Sequence, residues 1–154
     1  MTAPKTMISK TLLALALIAP LVGCGSSSDP LTNPGQWTFV NYWAEWCKPC
    51  IQEIPELNEL HAEDGYQVLG VNFDGATGED LEAQLAQLNV QFPTLPDDPA
   101  ARLGIERPQV LPTTVIIKPD GAVLQVLIGP QTRETLITAI ESREVSTAPE
   151  SAGD

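Results

Sequence analysis

Cys47 and Cys50 stand in the run Trp46-Cys47-Lys48-Pro49-Cys50, two thiols with two residues between them. Thiols at that spacing can close into one disulfide and reopen by exchange, provided one of them ionises near neutral pH. Glu53 follows Cys50 by three residues and would share a helix face with it, so a carboxylate is at hand to move a proton. A third cysteine, Cys24, and a single histidine, His61, complete the residues with obvious chemistry. A zinc site accounts poorly for the pair, because no second Cys/His pair exists to complete the ligands. A purely structural bridge does no better, since closing so short a loop restrains the unfolded chain little.

The elements that must position these residues lie on either side of the pair. Trp37 to Trp43 is dense in aromatic and β-branched residues, the composition of a buried strand. Ile51, Ile54, Leu57 and Leu60 recur at helical steps and predict a helix with one buried face. Cys47 then falls at the positive end of that helix, beside Lys48, where thiolate is favoured over thiol. This predicts Cys47 as the nucleophile and Cys50, one turn on and deeper, as the resolving thiol. Pro49 fits the first turn, where its missing N–H is not needed. Pro55 is expected to kink the helix, and His61, at its C-terminal end, to be a surface residue.

Further along, Tyr66 to Phe73 reads as a second buried strand, parallel to the first because a helix joins them. Thr77 with Asp80 resembles a capping box opening a helix from Glu79 to about Asn89, with Leu81, Leu85 and Leu88 on one face. Val90 to Gln109 holds four of the 14 prolines and predicts an irregular excursion with one short helix, Pro99 to Leu103. Thr113–Lys118 and Ala122–Ile128 are strands joined by Pro119-Asp120-Gly121, the turn chemistry of an antiparallel hairpin. Thr113 and Thr114 serve there to open a strand. Thr132 to Arg143 supplies a last helix with Leu136, Ile137 and Ile140 inward. The fold class is therefore α/β: a four-stranded mixed sheet in the order β-α-β, helix, β-β-α, flanked by helices.

The N-terminal part predicts a location. Lys5 and Lys10 precede the apolar run Leu12 to Val22, which is too short to span a bilayer comfortably and reads as an export signal over residues 1–23. Leu21-Val22-Gly23-Cys24 resembles the bacterial lipobox, which would put diacylglycerol on Cys24 and remove the odd cysteine from the redox arithmetic. Residues 24–35, polar and broken by prolines, are expected as a tether, 36–144 as the domain and 145–154 as a disordered tail. Without Lys5 and Lys10 the eight basic residues fall to six against 20 acidic ones, a net of −14. Such a surface argues against nucleic acid as a partner, which needs a basic patch. The expected place is the cell envelope, facing the periplasm, with Gly25 after Cys24 slightly favouring the outer membrane over the inner.

Asn41-Tyr42-Trp43-Ala44-Glu45-Trp46-Cys47-Lys48-Pro49-Cys50, Glu53-Ile54-Pro55-Glu56-Leu57, Leu111-Pro112-Thr113-Thr114 and Lys118-Pro119-Asp120-Gly121 together resemble the thioredoxin superfamily, in particular its TlpA/ResA branch of exported thiol–disulfide oxidoreductases. The resemblance runs from about Trp37 to Ile140 and implies a thioredoxin-like fold. Such proteins usually carry an N-terminal β-hairpin that this chain lacks before Trp37, so a less well covered sheet edge is expected. It implies that Pro112 is a cis-proline facing the cysteines, that the Leu111 backbone is free to pair with a bound peptide, and that Trp46 lines the partner groove. Asn41 stands where thioredoxins proper have a buried aspartate, which moves proton handling to Glu53, raised in pKa by burial; a merely solvated glutamate is the alternative. The implied activity is reduction of protein disulfides without cofactor or metal, by a monomer recharged by an upstream thiol donor. A thiol oxidase, a copper-handling assembly protein and a tethered binding module are the competing readings. A peroxidase would need Thr three residues before Cys47, where Ala44 stands.

Overall fold

The computed structural model describes residues 29–147. Strand β1 (Trp37–Trp43) leads into helix α1 (Lys48–His61), followed by β2 (Tyr66–Asn72), α2 (Gly78–Leu88), the hairpin strands β3 (Thr113–Ile117) and β4 (Val123–Ile128), and α3 (Arg133–Thr147). The sheet order is β2-β1-β3-β4. β1 is parallel to β2 with Trp43 opposite Asn72, and antiparallel to β3 with Tyr42 opposite Thr113. This is the four-stranded mixed sheet expected from the sequence, with α3 continuing into the stretch expected as tail.

Alternation along β1 divides the core. Phe39 faces Leu57 and Leu60 of α1 and Leu136 and Ile140 of α3. Val40 and Tyr42 face the other way, with Leu69, Val71, Val115 and Ile117, beneath Leu95, Leu103 and Ile105 of the segment between α2 and β3. Ile54, Leu57 and Leu60 are each no more than 2 % exposed, and burial of such side chains stabilises by roughly 1.5–3 kcal/mol apiece. That sum outweighs the cost, about 3 kcal/mol, of Pro55 inside the helix. Leu31 is also buried in the second cluster, and Gln67 donates to the Pro30 carbonyl at 3.2 Å, so residues 29–35 lie against the domain.

Four local expectations are corrected. Ile51 is exposed, because the buried face of α1 runs through Cys50, Glu53, Ile54, Leu57 and Leu60 and Ile51 falls to one side of it. Thr77 is the N-cap of α2 but its side chain makes no capping bond, so no capping box forms. Pro99 to Leu103 makes a single helical turn, closed by Leu103 N–H on the Pro99 carbonyl at 2.9 Å, and no regular helix. His61 is a partly buried brace: its Nδ1 accepts the Val68 N–H at 3.1 Å, and burial lowers its pKa, which keeps the ring a neutral acceptor.

Among the described residues no strand precedes β1. The outer edge of β2 is met at one point by the 93–95 segment, where Gly70 N–H donates to Pro93 at 2.7 Å and Leu95 N–H to Gly70 at 2.8 Å. Gly70 permits that approach. A Cβ there would lie 2.8 Å from Trp43 Nε1, 2.9 Å from Thr94 Oγ1 and 3.2 Å from Phe92 Cε2. Trp43 is fully buried and cannot swing aside. Gly70→Ala should therefore destabilise the domain by about 1–3 kcal/mol, read as a lower urea midpoint at unchanged slope.

Candidate active site

The C-terminal end of β1 delivers the chain through Ala44, Glu45 and Trp46 to Cys47, which caps α1: its sulfur accepts the Cys50 N–H at 3.3 Å. Pro49 lies in the first turn, where it removes no helical bond. Cys47 and Cys50 are joined in a disulfide with a Cα–Cα distance of 5.2 Å. Cys47 is 4 % exposed and Cys50 1 %, so both sulfurs lie at the buried margin of the site. The pair sits with Trp43 and Ala44 in a third apolar cluster, against which Phe73, Leu81, Leu85, Leu88 and Leu111 pack.

The Leu111–Pro112 peptide is cis. Thr113 Oγ1 donates to the Val110 carbonyl at 2.8 Å and Gly129 N–H to the Pro112 carbonyl at 2.9 Å, which closes the loop on the ends of β3 and β4. Among the described residues neither Leu111 backbone group has a hydrogen-bond partner. Trp46 is 61 % exposed, and its indole N–H is held by Asp74 Oδ2 at 2.7 Å. Cys47, Cys50, Trp46, Leu111 and Pro112 are thus brought to one end of the sheet. Cys24 lies outside the described residues.

Glu53 is 2 % exposed, one helical turn below Cys50. Its Oε1 accepts from Asn41 Nδ2 at 2.7 Å and its Oε2 from the Gln131 N–H at 2.7 Å. Asn41 Nδ2 also donates to Thr114 Oγ1 at 3.1 Å, while Asn41 Oδ1 is buried without a partner. Burial pushes the Glu53 carboxyl up to about 7, outweighing the two hydrogen bonds that favour its ionised form. A carboxyl poised there exchanges protons at neutral pH. A cleft lined by Gln52, Glu56, Pro130, Gln131 and Thr132 reaches Glu53 from solvent.

Several partners escape a reading of the sequence. Asp74 follows the end of β2, beside the end of β1 once the two strands are paired in register, and that pairing is the only signal pointing to it. Thr114 does more than open a strand, since its hydroxyl receives the Asn41 amide. Gln131 acts through its backbone, which no residue type announces. Among the described residues no three His, Cys, Asp or Glu side chains converge as metal ligands, and no helix is long and apolar enough to cross a membrane.

The chain is similar to known proteins. Residues 26–126 match the AhpC/TSA family. The thiol-disulfide oxidoreductase ResA of Bacillus cereus is 34 % identical over 105 residues, 66 % of this chain and 60 % of the relative, so the chain spans about three fifths of such relatives' length. The thiol:disulfide interchange protein HelX of Rhodobacter capsulatus is 29 % identical over 146 residues, 94 % of this chain and 81 % of the relative. The crystal structure of StoA from Bacillus subtilis superposes with a TM-score of 0.56 at 25 % identity, covering 70 % of this chain and 84 % of that one.

The raised Glu53 pKa has a consequence for stability. The unfolded carboxyl ionises near its ordinary value of 4.5 and the folded one near 7, so stability is highest below 4.5 and falls as pH rises to 7. Glu53→Gln removes that fall. Relative to wild type it should gain up to about 3 kcal/mol between pH 4.5 and 7.5, measured by urea denaturation at each pH. The cysteine motif, the cis-proline loop beside it, the thioredoxin-like sheet and the match over most of the domain agree: the chain belongs to the AhpC/TSA family of thioredoxin-fold proteins.

Proposed function

We propose that the protein is a thiol–disulfide oxidoreductase that reduces protein disulfides through Cys47 and Cys50. The observation that carries the proposal is a Cys-x-x-Cys disulfide capping a helix N-terminus directly against a cis-proline loop. Relatives described as a thiol-disulfide oxidoreductase and a thiol:disulfide interchange protein support it. In the reduced form the Cys47 thiolate, favoured by the helix dipole and adjacent Lys48, attacks one sulfur of a client disulfide and expels the other as thiolate. The client is then bonded to Cys47. Cys50 loses its proton and attacks the Cys47 sulfur, releasing the client's second thiolate and leaving the Cys47–Cys50 disulfide. An upstream dithiol donor returns the pair to the reduced state.

Glu53, beneath Cys50 and with a pKa near 7, is the group that takes the resolving thiol's proton. Trp46 lines the client groove, and the unpartnered Leu111 backbone receives an extended client segment as an added strand. The protein acts as a monomer at the cell envelope, facing the periplasm. Lipid on Cys24 would tether it to a membrane, with the outer membrane slightly favoured. Reduction is favoured over oxidation because proline directly before Cys50 resembles the reducing members, although Lys48 near the thiolate pulls the other way.

Three measurements test this. The reduced protein should cleave insulin disulfides, and Cys47→Ser should abolish the reaction. Cys50→Ser should instead accumulate a mixed disulfide through Cys47, which names the clients. A potential in the range of strong oxidants, around −120 mV, with no insulin cleavage would make the protein a thiol oxidase and overturn the direction. For the anchor, Cys24→Ala should lose the diacylglyceryl mass and leave the membrane fraction; a wild-type protein without that mass removes the lipid reading.

A further inference from the structure

Arg107, in the proline-rich segment between α2 and β3, ties that segment both to itself and to the turn after β2. Its Nε donates to Asp98 Oδ2 at 2.7 Å, and its Nη2 donates to the Phe73 carbonyl at 2.7 Å. The guanidinium also lies over the Phe73 ring, 4.2 Å from its centroid. Asp98 is itself fixed, because its Oδ1 accepts the Tyr42 hydroxyl at 2.8 Å and the Ala100 N–H at 2.9 Å. Arg107 therefore joins a segment braced on β1 to the turn that follows β2.

The Phe73 attachment and the chain that carries Arg107 both continue into the rim of the disulfide. Phe73 precedes Asp74, the acceptor that holds the Trp46 indole N–H at 2.7 Å. Phe73 is also tied to the strand leading to Cys47, its N–H on the Trp43 carbonyl at 2.8 Å. On the other side, Gln109 Nε2 donates to the Arg107 carbonyl at 3.0 Å, and the chain runs straight on through Val110 to the Leu111–Pro112 cis peptide.

We propose that Arg107 is a positioning residue for client recognition, holding the Trp46-bearing and Pro112-bearing sides of the disulfide rim in one arrangement. This rests on the reading of Trp46, Leu111 and Pro112 as the client-facing surface. Arg107 touches neither sulfur. An exposed ion pair by itself contributes little to stability, so the importance of this one lies in geometry. A planar fork that donates along two directions while stacking on a ring fixes three groups at once, which a lysine ammonium cannot do. A client cysteine must meet Cys47 while its flanking backbone meets Leu111, and a rim free to splay would lose that coincidence before it lost thiol reactivity.

The test compares Arg107→Gln and Arg107→Lys with wild type. Both variants should raise KM for insulin disulfide about three- to tenfold, with kcat within about twofold. Reaction of the Cys47–Cys50 disulfide with dithiothreitol, which needs no rim, should also stay within about twofold. By NMR, exchange of the Trp46 indole N–H with solvent should quicken about tenfold in both variants. Unchanged KM and unchanged indole exchange would overturn the proposal. So would a parallel loss toward insulin and dithiothreitol with a lowered unfolding midpoint, which would make Arg107 a residue of general stability. Full rescue by lysine would show that charge alone suffices and overturn it equally. If wild type cleaves no protein disulfide, the reductase reading fails by itself, and the indole exchange still decides whether Arg107 holds the rim.

Discussion

β1 is hydrogen-bonded along both edges and covered on both faces, and the place of the disulfide follows from that confinement. The strand pairs with β2 on one side and β3 on the other, and its residues from Thr38 to Trp43 are all buried. A strand held this way cannot slip by one residue without driving Asn41 into the apolar side and Val40 toward Glu53. The chain leaves it at a fixed point, turns within a few residues and caps α1 with Cys47. Thiolate chemistry at a helix end needs the sulfur in one spot, and the sheet supplies it.

The same confinement explains the buried polar group beneath the site. Asn41 is a central strand residue with no water to solvate its amide, so it must find partners in the core. It finds Glu53 on α1 and Thr114 on β3. Glu53 in turn reaches the Gln131 N–H in the turn before α3. One carboxyl on α1 thus reaches the central strand and the chain entering the last helix, and its titration near neutrality is a property of that enclosure. The raised pKa of this carboxyl is set by packing, and packing here is set by where β1 runs.

Around the rim the structure uses irregular chain. Prolines keep the segment between α2 and β3 out of regular secondary structure, which lets it cover one face of the sheet with Leu95, Leu103 and Ile105 and then carry Arg107 and Pro112 to the site. The unsatisfied groups left by such a path are met by side chains: Asp98 for Tyr42 and Ala100, Arg107 for Phe73, Thr113 for Val110. Trp46 stays exposed, with its indole N–H held by Asp74.

By itself the sequence determined what depends on local pattern. The strands follow from aromatic and β-branched composition, α1 from its apolar spacing, the hairpin from Pro119-Asp120-Gly121, and the thiol pair from residue type and separation. These signals are legible because each is carried by neighbours in the chain. Tertiary structure alone decided what depends on residues distant in sequence. Spacing from Cys50 singles out Glu53 in the sequence, but whether it is buried or solvated like its neighbours is decided by the approach of Asn41 and Gln131. Likewise Ile51 carries the helical spacing of a core residue yet faces solvent, and His61 reads as a helix-end surface group until β2 packs against it. The burial that shifts a proton, and the contacts that hold Arg107 between two loops, exist only after long-range strand pairing has brought their parts together.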